Sequence, residues 1–206
     1  MNLPNTITLS RLVITAGVFV CLEFASVAPR LTPNGDQVPQ WYGQLHPDAT
    51  LVWIAFALFL IAAITDFLDG WLARRWNLVT AFGRVADPFA DKVLIAGSLI
   101  TLLPFEAAWA VLPTWYVVVV VAREFLVTAI RGVVEASGQP FPADRLGKWK
   151  MVAQCVFVAC VMTLVAGSEF WTWLALPAFW ISFGLTVLSG VNYVWKARGV
   201  LFGGGA

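Results

Sequence analysis

Long apolar runs alternate with short polar connections along the chain. Apolar stretches over about 9–28, 51–72, 87–104, 111–135, 148–166 and 171–196 each approach the ~20 residues a helix needs to cross the hydrocarbon of a bilayer. They lack the period-two alternation of a membrane barrel, as Val117 to Ala122 shows. A helix satisfies its own backbone hydrogen bonds in lipid, so helices are expected. The expected fold is therefore all-α, a polytopic membrane protein with six transmembrane helices in a single domain over 1–206. Residues 29–50, rich in Pro, Gly, Asp and Asn, form the longest connection. Pro104 to Pro113 predicts a short turn, and Gly167-Ser168-Glu169 a tight one. The first apolar run leads into a Pro-rich loop, and Met1 to Arg11 lacks a short basic start, so that run reads as a retained helix and not a cleaved signal.

Composition agrees with this pattern. Of 206 residues, 60% are hydrophobic and 12% charged, which is outside the soluble globular range. A formal net charge of +1 and the lack of a basic run argue against a nucleic-acid partner. Cys21, Cys155 and Cys160 lie in apolar stretches without a CxxC pair and read as small buried hydrophobes. His46, the sole histidine, stands in a polar loop without partners for a metal site. With six spans, both termini fall on one side. Every Lys and Arg except Arg30 lies on that side or in the helix halves facing it. The positive-inside rule makes that side cytoplasmic. Tryptophans near the predicted ends, such as Trp71, Trp76, Trp109 and Trp171, suit an interfacial belt.

Carboxylates inside membrane helices are costly and need a reason. Asp66 and Asp69 lie three apart near the cytoplasmic end of the second span, and Asp87 and Asp91 four apart at the start of the third. Each pair shares a helix face, and a hairpin joining the spans could bring the pairs together. Converging carboxylates repel unless cations join them, and oxygen-only ligands suit magnesium, manganese or calcium. The plainer reading is a solvated set, or one paired with Arg74, Arg75 and Arg84. Gly70 and Gly83 could let a nucleotide or phosphate approach the backbone, or could equally serve close helix packing.

The segment Asp66-Phe67-Leu68-Asp69-Gly70-Trp71-Leu72-Ala73-Arg74, followed after eight residues by Gly83-Arg84-Val85-Ala86-Asp87-Pro88-Phe89-Ala90-Asp91, resembles the CDP-alcohol phosphotransferase signature D-x2-D-G-x2-A-R-x8-G-x3-D-x3-D. Every specified position matches. Leu3 to Arg11, Ala122-Arg123-Glu124, Arg131, and Gly147-Lys148-Trp149-Lys150 with Gln154 extend the likeness, which is nearest to the bacterial phosphatidylglycerophosphate synthases of that family. Met151 departs from it, because a threonine is expected there.

This resemblance implies a six-helix bundle with an amphipathic N-terminal segment, usually a homodimer, in the bacterial cytoplasmic (inner) membrane with its site facing the cytoplasm. It implies two divalent cations, Mg2+ or Mn2+. Asp66, Asp69 and Asp87 would hold the first, and Asp66, Asp87 and Asp91 the second. Asp91 would also serve as general base. Gly70, Ala73, Arg74, Thr80 and Gly83 would contact the CDP part of CDP-diacylglycerol, with Asn5 and Thr8 closing over it.

Basic residues away from the aspartates bear on the acceptor. Arg123 and Arg131 lie near one face of the fourth span, and Arg145, Lys148 and Lys150 surround the start of the fifth. Together they could bind an acceptor phosphate, which suits sn-glycerol 3-phosphate better than an uncharged alcohol. The alternative is that they anchor membrane lipid headgroups. Glu124 could pair with a buried residue and Glu135 with Arg131. The expected reaction is phosphatidyl transfer from CDP-diacylglycerol to sn-glycerol 3-phosphate, with inositol phosphate as the nearest other acceptor. Cardiolipin or phosphatidylserine synthesis fits less well. A different class, a divalent-cation transporter, would extend the acidic residues across the membrane, whereas here they stay near one face.

Overall fold

The computed structural model describes residues 3–27, 47–76, 81–138, 144–168 and 172–202. These form seven helices and, among the described residues, no strand. The helices are α1 (Leu3–Val27), α2 (Ala49–Trp76), α3 (Ala81–Leu102), α4 (Glu106–Trp109), α5 (Thr114–Ala136), α6 (Arg145–Val165) and α7 (Thr172–Phe202). All but α4 are long. The stretches Thr8–Ser26, Ala49–Asp66, Arg145–Val165 and Thr172–Val200 are long and apolar enough to cross a membrane. α3 and α5 fall outside that set. They carry Asp87, Asp91 and Lys92, and Arg123, Glu124 and Arg131, which lower their hydropathy. Val13, Phe24, Ile64, Phe125, Leu188 and Val191 point outward, as expected where the surroundings are hydrocarbon and not water.

The boundaries differ from the apolar runs at both ends of the chain. α1 begins at Leu3, so the amino-terminal segment and the first run form one helix. α7 continues to Phe202, with the Arg198 guanidinium 4.0 Å from the centre of the Trp195 ring. Pro4 falls in the first turn of α1, where its missing N–H has no intrahelical partner to lose, and Gly199 in α7 does not take the left-handed turn that ends a helix. α6 does stop where the turn was expected. Gly167 takes φ +82, Ser168 N–H donates to Thr163 O and Gly167 N–H to Leu164 O, closing the helix with a Schellman motif. The 104–113 connection folds into the single-turn α4, and Trp109 Nε1–H donates to Leu103 O.

Two groups of three helices make the bundle. α1 lies on α2 and α3, while α7 lies on α5 and α6. α6 joins the groups through contacts with α2 and α3, and α5 also meets α3. Asp48 caps α2 by accepting from the backbone N–H of Thr50 and Leu51, and its own N–H donates to Ala25 O at the end of α1. One core runs through both groups, including Phe59, Leu94, Leu99, Phe105 and Phe157. In the second group, rings set the packing. Tyr116, fully buried, stands edge-on to Phe157 with ring centres 5.3 Å apart, and its centre is 5.2 Å from that of Phe179.

α1 and α3 approach closely at Gly97, where the Phe19 ring occupies the space of a side chain. A Cβ there would lie 2.1 Å from Phe19 Cζ. Gly97→Ala should therefore destabilise the bundle by about 1–3 kcal/mol, an ordinary overpacking cost. Thermal melting in detergent would show this, and adding Phe19→Ala should recover part of the loss.

Candidate active site

The antiparallel order of the helices collects charged groups from both halves at one end of the bundle. In the first half, Arg11 of α1 is buried, 1% exposed, between α2 and α3. Its guanidinium pairs with Asp66 and lies 3.2 Å from Asp91 Oδ1. Two of the four predicted metal carboxylates, from different helices, thus meet at one cation. Thr8, one turn earlier on α1, is also buried. Asp69 and Asp87 lie on the helical backbone one turn from Asp66 and Asp91, but their side chains are outside the described residues. The same holds for the side chains of Asn5, Ala73 and Arg74 and for the surroundings of Gly70 and Gly83, while Thr80 and His46 lie wholly outside.

Among the described residues no three His, Cys, Asp or Glu gather into a metal cluster. The two described carboxylates do fit a hard divalent ion. They are oxygen donors from two rigid helices, already drawn to a shared positive charge.

The second half gathers three of the five predicted acceptor cations. Glu124 Oε1 accepts from Arg123 Nη1 at 3.0 Å and from Lys150 Nζ at 2.5 Å. Both cations are almost fully buried. Arg123 Nη2 donates to Ser189 Oγ at 3.0 Å, and its guanidinium lies 5.5 Å from the centre of the Tyr193 ring. Arg131 Nη2 donates to the Tyr193 hydroxyl at 3.3 Å, and that hydroxyl also accepts from Asp144 N–H. Tyr193 therefore ties Arg123 to Arg131. Gly190 gives room for this, since a Cβ there would lie 3.3 Å from Arg123 Cγ. Arg145 and Lys148 are exposed in the first turn of α6 and join none of these contacts.

Several contributors carry little signal of their role in the sequence. In the sequence Arg11 is a cytoplasmic-side charge within the amino-terminal likeness. Tyr193 went unnoticed, yet it belongs to a legible signal. Ser182, Thr186, Ser189 and Tyr193 recur at helical spacing along the apolar α7 and mark one face. That face meets Tyr116 (hydroxyl to Ser182 Oγ, 2.6 Å), Gln154 (Nε2 to Thr186 Oγ1, 3.0 Å), Arg123 and Arg131. Lys92, a cytoplasmic-side charge that also belongs to the family likeness beside Asp91, is a third case, since no role attaches to it in the sequence. Its ammonium donates to Thr128 Oγ1, joining α3 to α5.

Comparison with known proteins bears on the chemistry of this site. The family model described as CDP-alcohol phosphatidyltransferase matches residues 1–188. A Bacillus subtilis protein named CDP-diacylglycerol--glycerol-3-phosphate 3-phosphatidyltransferase is 36% identical over 197 residues, covering 95% of this chain and 94% of its own length. A Cereibacter sphaeroides protein of the same name is 28% identical over 234 residues, covering 95% of each chain. A probable phosphatidylglycerophosphate synthase of Mycobacterium tuberculosis is 36% identical over 196 residues, covering 95% of this chain and 81% of its own.

The Glu124 geometry has a direct consequence for stability. Glu124→Gln leaves Arg123 and Lys150 buried without the carboxylate that both contact, and should cost about 3–5 kcal/mol. Denaturant or thermal unfolding in micelles would measure it. Combining it with Lys150→Met, which removes one of the stranded charges, should restore much of the loss.

Proposed function

The chain belongs to the CDP-alcohol phosphatidyltransferase family, and from that premise we propose that it transfers a phosphatidyl group from CDP-diacylglycerol to sn-glycerol 3-phosphate, giving phosphatidylglycerophosphate and CMP. The observation that carries the acceptor assignment is the group of buried Arg123 and Lys150 with half-buried Arg131. It lies at the same end of the bundle as the carboxylates and suits an acceptor that brings a phosphate of its own. An uncharged alcohol would have no use for it.

Asp66, Asp69, Asp87 and Asp91 would hold two divalent ions, magnesium or manganese, and such ions would supply positive charge against the pyrophosphate oxygens and the departing CMP. The nucleotide would lie along Gly70, Ala73, Arg74, Thr80 and Gly83, with Asn5 and Thr8 closing over it from α1. Arg123, Arg131 and Lys150, with Arg145 and Lys148 at the rim, would orient the acceptor phosphate. Asp91 then takes the proton from the acceptor hydroxyl. The hydroxyl oxygen forms a bond to the phosphorus bearing diacylglycerol. The bond from that phosphorus to the CMP oxygen breaks, and CMP leaves with the electron pair. The diacylglycerol tails remain in the bilayer throughout. This arrangement needs all six long helices to cross the membrane, with both termini and the site cytoplasmic, and the family resemblance adds a homodimer.

The test is CMP release by purified protein in mixed micelles, with each acceptor and metal supplied separately. Release should require both sn-glycerol 3-phosphate and Mg2+ or Mn2+, and Asp91→Asn should lower kcat by about 10²–10⁴-fold. Release with inositol phosphate instead would keep the chemistry and change the acceptor. If folded protein gave no metal-dependent release with any acceptor, the enzyme reading would fail and divalent-cation transport would be the next assay.

A further inference from the structure

We infer that Lys92 is an acceptor-binding residue, whose ammonium grips the phosphate of sn-glycerol 3-phosphate between Asp91 and the cations of α5 and α6. The inference rests on the glycerol-phosphate reading above. It begins with position. Lys92 follows Asp91 on α3, yet its side chain reaches across to α5 and donates to Thr128 Oγ1. Thr128 is held for this role, because its hydroxyl donates to Glu124 O at 2.7 Å and so presents a lone pair to the ammonium. Thr128 lies between Glu124 and Arg131, one turn from each. Through Thr128 the Lys92 ammonium stands on the α5 stretch that carries Glu124 and Arg131, while its own backbone adjoins Asp91.

The local charge on the α5–α6 side of this end then favours an anion. Apart from the Arg11–Asp66–Asp91 group, Lys92, Arg123, Arg131 and Lys150 bring four positive charges to that side. Glu124 is shared by two of the cations, and Asp91 already contacts Arg11. A phosphate ester carrying about −1.5 to −2 at neutral pH would supply the missing charge. An ammonium has three donors, and Thr128 takes one of those on Lys92, so two can serve phosphate oxygens. Geometry favours this residue over the others as the grip nearest the chemistry. Glycerol phosphate is only three carbons long, so its phosphate must bind close to the base that receives its proton. Of the cations gathered here, Lys92 is the one carried by the same helix as Asp91.

The experiment compares wild type, Lys92→Met, Lys92→Arg, Thr128→Val and Arg131→Met by steady-state CMP release, with melting curves as a check on folding. Lys92→Met should raise KM for sn-glycerol 3-phosphate by about 10- to 100-fold, the loss of one charge-assisted contact. KM for CDP-diacylglycerol should change less than about twofold on the same grounds. Lys92→Arg should recover part of the affinity, and Thr128→Val should shift KM in the same direction by less. The Ki of inorganic phosphate should rise with the KM of the acceptor. An unchanged acceptor KM in Lys92→Met, beside a raised one in Arg131→Met, would overturn the Lys92 role and leave the pocket standing. A change confined to CDP-diacylglycerol or to dependence on anionic lipid would overturn it in favour of headgroup anchoring. Wild type that does not turn over sn-glycerol 3-phosphate would remove both readings.

Discussion

Glu124 takes one cation from its own helix and one from the next, and much of the arrangement at this end of the bundle follows from that contact. A carboxylate or an ammonium standing alone in a low-dielectric interior is costly, whereas a set that satisfies its members is tolerated. Pairing Glu124 with Lys150 locks α5 to α6. Pairing it with Arg123 turns the guanidinium toward Ser189 and over Tyr193, which sets α7 against α5. Three helices are thus registered by one carboxylate. The aromatic packing around Tyr116 reinforces the same register further along α5.

The first three helices use the same device with opposite sign. There one cation, Arg11, is shared by two carboxylates. Each half of the bundle therefore has a central charge with counter-charges drawn from its neighbours, and α3 faces both. That placement sets a group of acidic character beside one of basic character. Substrates with several negative charges could meet there without either half carrying its excess charge into lipid.

The sequence showed the helices and the aspartates clearly, and the pairings hardly at all. Runs of some twenty apolar residues leave few alternatives to a helix, and spacings of three and four put Asp66 with Asp69, and Asp87 with Asp91, on common faces without reference to the rest of the fold. Helix ends were less legible at Leu3 and Phe202, which lie beyond the apolar runs, and more so at Gly167, where a left-handed residue closes the helix. Arg11 could not be distinguished from a positive-inside anchor, since its partners are far away in sequence. Arg123 and Glu124 are neighbours, yet the role of Glu124 depends on Lys150, which arrives from another helix. The polar face of α7 was visible as a spacing, but not what it would meet.

Asp48 ties the start of α2 to the end of α1 through Ala25 while capping its own helix. The two helices are thus joined at the base of the long connection, on the side away from the charged groups. Loop-closure entropy grows only with the logarithm of length once the ends are fixed. This connection can therefore lengthen, shorten or accept a foreign segment without altering how α1 meets α2. It is the natural place for related chains to diverge in size, and for an engineer to insert a reporter or an affinity handle.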